Sequence, residues 1–144
     1  MKTSKNTLKV IGASLIVILL FSLNSCATKA VFLNSAVVPA AQGSVKFKKD
    51  KNENYVIKIK ISNLAESNRL QPPKNTYIVW METGDDVVKN IGQIMSSKAF
   101  MSKKLKASFE TVSSFKPKKI FITAEDDANI QYPFSGTVLT TVNF

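Results

Sequence analysis

The stretch Tyr55-Val56-Ile57-Lys58-Ile59-Lys60-Ile61 alternates without a break. Successive side chains of an extended strand point to opposite faces, so a period of two puts Tyr55, Ile57, Ile59 and Ile61 on a buried face. Lys58 and Lys60 then share a wet face. Val45-Lys46-Phe47-Lys48 repeats the pattern, and the short polar run Asp50-Lys51-Asn52-Glu53-Asn54 separates the two. A hairpin follows, with Lys46 and Lys48 on the same wet face as Lys58 and Lys60. Like charges opposite one another cost some stability, so this stripe is a candidate contact for anionic headgroups, lipopolysaccharide or cell-wall polymer. The alternative is a solvated sheet face that resists edge-to-edge aggregation.

The chain beyond the hairpin continues in strands and turns. Tyr77-Ile78-Val79-Trp80-Met81 is apolar at consecutive positions, as in a central strand covered on both sides. Tyr77 and Trp80 are read as sandwich core rather than as an exposed aromatic platform. Ala65 to Asn75 contains Pro72-Pro73 and reads as a loop, and Gly84-Asp85-Asp86 as a turn. Val87–Ile94, the alternating Leu105–Glu110, Ile120–Ala124, Thr137–Val142 and an edge strand near Ala30–Leu33 complete the set. No amphipathic helix stands out after Cys26. Hydrophobic content of 44% with 21% charge is a globular composition, and 144 residues suit one domain. The expected fold is all-β, an immunoglobulin-like antiparallel β-sandwich of seven or eight strands.

The N-terminus follows a different logic. Lys2, Lys5 and Lys9 precede Val10–Leu23, an uncharged run of 14 residues. As a helix it would span about 21 Å, short of a bilayer core of about 30 Å. A basic segment before a short apolar one is the profile of a secretory signal peptide. Its charged end stays cytoplasmic while the rest crosses.

The run ends Leu23-Asn24-Ser25-Cys26, at the only cysteine of the chain. These four residues resemble a bacterial lipobox, with Asn24 standing where a small residue is usual. The resemblance implies cleavage between Ser25 and Cys26, a diacylglycerol on the Cys26 thiol and an acyl chain on the new amino group. A thiol is required because its thiolate is the nucleophile that takes up the lipid. Release by the general signal peptidase and retention as an uncleaved anchor are the alternatives. The expected organisation is a signal peptide over 1–25, a lipidated tether over 26–30 and the sandwich over 31–144. Loss of three lysines lowers the formal charge from +10 to +7. No acidic run follows Cys26. By resemblance to Gram-negative sorting rules, this favours an outer-membrane anchor with the domain facing the periplasm.

Several chemistries are excluded. Without histidine there is no Ser-His-Asp triad, Cys-His pair or imidazole metal ligand. A single cysteine forms no internal disulfide, thiolate zinc site or CxxC pair. Gly84-Asp85-Asp86 and Glu125-Asp126-Asp127 are acidic clusters, but both read as turns between strands and neither forms a recognised calcium loop. Glu125 reads as a structural hydrogen-bonding residue. No catalytic residue, metal or cofactor is expected, and nucleic acid is not an expected partner because no exposed aromatics interleave the basic residues.

Asn63-Leu64, Tyr77-Ile78-Val79-Trp80, Asn90-Ile91-Gly92-Gln93, Ile122-Thr123-Ala124-Glu125 and Pro133 with Gly136-Thr137-Val138-Leu139 occur in a familiar order. Over roughly residues 31–142 the chain resembles the extracytoplasmic C-terminal domain of anti-sigma-K factors. The likeness implies a β-sandwich. The zinc-binding anti-sigma domain of that family has no counterpart here, so sigma-factor sequestration is not implied. Two functions are therefore expected in turn: a membrane-anchored, non-catalytic binding or structural module meeting an envelope protein or anionic polymer, and a sensory or regulatory component of an envelope system.

Overall fold

The structure, a computed structural model, describes residues 27–94, 97–98 and 105–144. The expected signal peptide and the Cys26 lipidation site lie outside the described residues. The strands are β1 (Thr28–Val31), β2 (Gln42–Lys49), β3 (Tyr55–Ser62), β4 (Thr76–Thr83), β5 (Val88–Ile94), β6 (Ser97–Lys98), β7 (Leu105–Ser113), β8 (Pro117–Glu125) and β9 (Thr137–Thr140). One sheet runs β1-β2-β3-β7-β6 and the other β5-β4-β8-β9, and every pairing is antiparallel. The chain is an antiparallel β-sandwich. The 3₁₀ turn Ser67–Arg69 interrupts the proline-rich loop. Among the described residues no helix is long and apolar enough to cross a membrane.

Three changes of sheet, β3 to β4, β5 to β6 and β7 to β8, tie the sandwich together. β3 passes to β4 and β7 passes to β8, while β3 pairs with β7 and β4 with β8. The core fills the space between. Val45, Phe47, Ile57, Ile59 and Ile61 come from the first sheet, and Tyr77, Val79, Met81, Ile120, Ile122 and Leu139 from the second. These are the inward residues of each alternation, which is why period-two sequence and sandwich architecture agree. Burial pushes the Tyr77 phenol up to about 12, and its hydroxyl donates to the Ala65 carbonyl at 3.0 Å.

The first strand begins earlier than its sequence suggests. Thr28 lies opposite Phe47 and Lys29 opposite Lys46, so most of the expected 26–30 tether is strand. Pairing against β2 satisfies backbone groups that a free linker leaves to water. Beyond β1, Phe32 N–H donates to Gly43 at 3.0 Å and Leu33 N–H to Thr140 at 2.8 Å, joining the edges of both sheets.

Trp80 departs from its expected place. Tyr77, Val79 and Met81 face the inter-sheet core, so Ile78 and Trp80 point the other way, yet both are 0% exposed. Trp80 is buried on the outer face of the second sheet, not between the sheets. Its ring lies nearly parallel to Phe121, with centroids 6.2 Å apart, and its indole N–H donates to Thr123 Oγ1 at 2.8 Å. The cover comes from the connection between β8 and β9. Asn90, directly opposite Trp80 in the register, donates through Nδ2 to the carbonyls of Ala128 and Ile130 at 3.0 and 2.9 Å. A loop thus does here what a third layer does in larger folds.

Candidate functional site

The hairpin between β2 and β3 is built by its turn. Asp50 Oδ1 accepts from the N–H groups of Asn52 and Asn54 at 2.8 and 2.9 Å, an arrangement suited to short polar side chains. Glu53 takes a positive φ of 66°. Its carboxylate meets Lys49 at 2.9 Å, and this hydrogen bond raises the lysine's pKa and lowers the glutamate's.

That turn sets a register in which Lys46 faces Lys58, Ser44 faces Lys60 and Lys48 faces Val56. Lys46, Lys48, Lys58 and Lys60 are all exposed and share the outer face, as the alternation predicts. Of the cross-strand lysine pairs, Lys46–Lys58 is direct, Lys46–Lys60 and Lys48–Lys58 are diagonal, and Lys48 and Lys60 stand four positions out of register. The flanking strands widen the patch. Lys29 on β1 lies opposite Lys46, and on β7 Glu110 lies opposite Lys58 and Lys106 opposite Ser62. Among the described residues, six lysines and one glutamate therefore occupy this face, and Glu110 meets Lys58 at 2.8 Å with both side chains about half exposed. An exposed pair of this kind contributes about 0–1 kcal/mol and leaves the field of the face positive.

The N-terminal end of the described chain enters beside this patch. Ala27 lines a shallow hollow of about 140 Å³ with Lys46, Lys48, Val56 and Lys58.

Neither acidic turn gathers ligands for a metal. Asp86 sits at a positive φ of 60° in the β4–β5 turn and pairs with Lys118, which also meets Glu82 at 3.2 Å. Asp126 meets Lys74 at 2.7 Å, and Asp127 accepts from the Asn129 N–H at 2.9 Å. Among the described residues no three Cys, Asp or Glu side chains converge.

Glu125 is 2% exposed and holds the β8–β9 loop. Oε1 accepts from the N–H groups of Phe134 and Ser135 at 3.2 and 3.0 Å, and Oε2 from the Ser135 hydroxyl at 3.0 Å. Burial pushes this carboxyl up, but hydrogen bonds from Thr123, Ser135 and Phe134 together outweigh it and hold the pKa below the ordinary range. A carboxylate with a depressed folded pKa stabilises the native state above its unfolded pKa of about 4.3, and that contribution is lost as pH falls through the folded pKa. Glu125→Gln should therefore cost about 1–3 kcal/mol at pH 7, the scale of charge-assisted hydrogen bonds. Urea unfolding of both proteins from pH 7 to pH 3 checks the sign: the gap should narrow as acid protonates the wild-type carboxyl. A constant gap would remove the charge from the account.

Sequence reasoning missed Lys29, Lys106 and Glu110, because their membership of the face depends on strand order. It also missed Tyr132 and Phe134, which are 72% and 82% exposed. The motif residues that suggest anti-sigma-K domains have structural jobs here: Asn90 and Glu125 pin the loop, and Trp80 lies beneath it. No protein-family model, curated protein or solved structure matches the chain.

Proposed function

We propose that the chain is a membrane-anchored lipoprotein of the cell envelope, lipidated at Cys26. Its sandwich acts as a non-catalytic module whose lysine face meets anionic headgroups or an anionic envelope polymer. The observation that carries this reading is the one-sided charge: among the described residues, six lysines against one glutamate on the outer face of the first sheet, beside Ala27. A lipid chain and a basic patch are complementary signals, since one holds the protein at the bilayer and the other orients it there.

The test uses the 27–144 fragment and vesicles containing phosphatidylglycerol. Each lysine near an anionic surface contributes about 1 kcal/mol, so four together account for an affinity change of several hundred-fold. Binding should fade as the Debye length falls from about 10 Å at 0.1 M salt to about 3 Å at 1 M. The variant with Lys46, Lys48, Lys58 and Lys60 all changed to Gln should lose the binding. Its stability should stay level or rise by a few tenths of a kcal/mol, because Lys46 no longer faces Lys58. Equal binding by both proteins, or none by either, would leave only a solvated face.

A further inference from the structure

On the other side of the molecule, the β8–β9 loop carries Tyr132 and Phe134, the most exposed large hydrophobic side chains among the described residues. The loop around them is fixed by the Asn90 amide, the Glu125 carboxylate and the Asp127–Asn129 turn. Two bare rings on a pinned segment are preorganised for contact, since little conformational freedom remains to be lost on binding.

Between this loop and β5 lies an open cleft of about 790 Å³. That volume falls within the range of about 300–1,000 Å³ usual for ligand sites. Tyr132 forms part of one wall, with the amide-bearing Asn129 and Gln131, and Gln93 stands on the strand side. Gly92 also lines the strand side, and its φ of +135° and 2.8 Å clearance to the Phe109 ring exclude a side chain on its inter-sheet side. β5 is the edge strand of its sheet, so the cleft stays open along the strand.

The lining decides the ligand class. Lys89 is its one charged residue, and the ammonium sits 4.4 Å from the centroid of the Phe115 ring. No carboxylate or arginine lines the cleft. A charged ligand brought here would meet no opposite charge except a lysine already engaged with a ring. Primary amides each present a donor and an acceptor in one plane, which matches neighbouring hydroxyls. An exposed phenol ring offers a negative π-face to the positively polarised C–H groups of a sugar ring. We propose that the cleft between β5 and the β8–β9 loop binds a neutral carbohydrate chain, with Tyr132 as the stacking platform and Gln93, Asn129 and Gln131 as hydroxyl partners.

The test titrates the full-length ¹⁵N-labelled protein in neutral detergent with defined hexasaccharides: β-1,4- and β-1,3-linked glucose, α-1,4-linked glucose, β-1,4-linked xylose, α-1,6-linked mannose and β-1,4-linked N-acetylglucosamine. At least one should give saturable amide shifts confined to β5 and residues 126–134. Tyr132→Ala should weaken that binding by about ten-fold or more, the scale of a hot-spot aromatic. Gln131→Ala should weaken it less, and the four-lysine variant should leave it unchanged. Both cleft variants should keep the wild-type spectrum elsewhere, because Tyr132 and Gln131 are exposed. No saturable shift with any of the six sugars at about 10 mM, a concentration that would reveal even millimolar binding, would overturn the proposal. So would shifts on the lysine face, or binding that Tyr132→Ala leaves intact.

Discussion

Trp80→Ala should lower the stability of the sandwich by about 3–5 kcal/mol, the range for truncating a large buried aromatic. The residue is 0% exposed, and its removal takes out a ring stacked on Phe121 together with the N–H donor to Thr123. Domains are stable by only about 5–15 kcal/mol, so the loss would consume about a fifth or more of the total. For about 118 residues this corresponds to a fall in Tm of roughly 10–20 °C. The damage should reach the loop as well. Thr123 is shared between the indole and Glu125, so the hydroxyl that supports the loop-holding carboxylate loses its orienting partner. Trp80→Phe separates the effects: it restores much of the buried area but no donor. It should recover most of the stability while leaving faster amide exchange at 128–135. Thermal unfolding and hydrogen exchange of the three proteins check this. A loss under about 1 kcal/mol for Trp80→Ala would mean that the outer face is not a packed layer.

How the sandwich could be read from sequence follows from which faces are wet. Ile57, Ile59 and Ile61 alternate with lysines because the first sheet has one face in water, and a period of two then marks both strand and side. β4 has no polar alternation, and its continuous run correctly implies cover on both faces. What covers Trp80 was not legible. Asp126 to Gly136 is polar and rich in turn residues, and nothing local says that it folds back onto a sheet. That information lies in the Asn90 amide, whose two acceptors are 38 and 40 residues away. The lysine face was half legible for a related reason. Lys46, Lys48, Lys58 and Lys60 belong to one hairpin, so local pattern brings them together. Lys29 joins through pairing of β1, whose start at Thr28 puts strand where a tether was expected. Lys106 and Glu110 join only because β7 returns beside β3, a contact between residues about 44–52 positions apart. Exposure of Tyr132 and Phe134 is likewise set by the loop's path, since an aromatic beside proline reads equally well as buried.

The Cys26→Ser chain should incorporate no radiolabelled palmitate and should move almost completely from the detergent phase to the aqueous phase. A single acyl chain holds a protein at a membrane only marginally, whereas several chains at about 0.8 kcal/mol per buried CH₂ hold it for its lifetime. Removing the thiol removes every one of them, so the effect is close to all-or-none. What remains is electrostatic. The basic face beside Ala27 should keep part of the released protein on anionic membranes at low salt, and about 0.5–1 M salt should strip it off by screening. Wild-type protein should resist the same wash, because hydrocarbon burial is not screened. Mass measurement of the mature N-terminus completes the test. Modified Cys26 at the first position supports the lipobox, and an unmodified soluble wild type beginning near Ala27 would assign cleavage to the general signal peptidase instead. If wild type and variant both stay in the detergent phase at high salt with residues 1–25 attached and Cys26 unmodified, the apolar run Val10–Leu23 is itself the anchor. In that case the lysine face would still lie beside the bilayer, and Cys26 would have no part in holding it there.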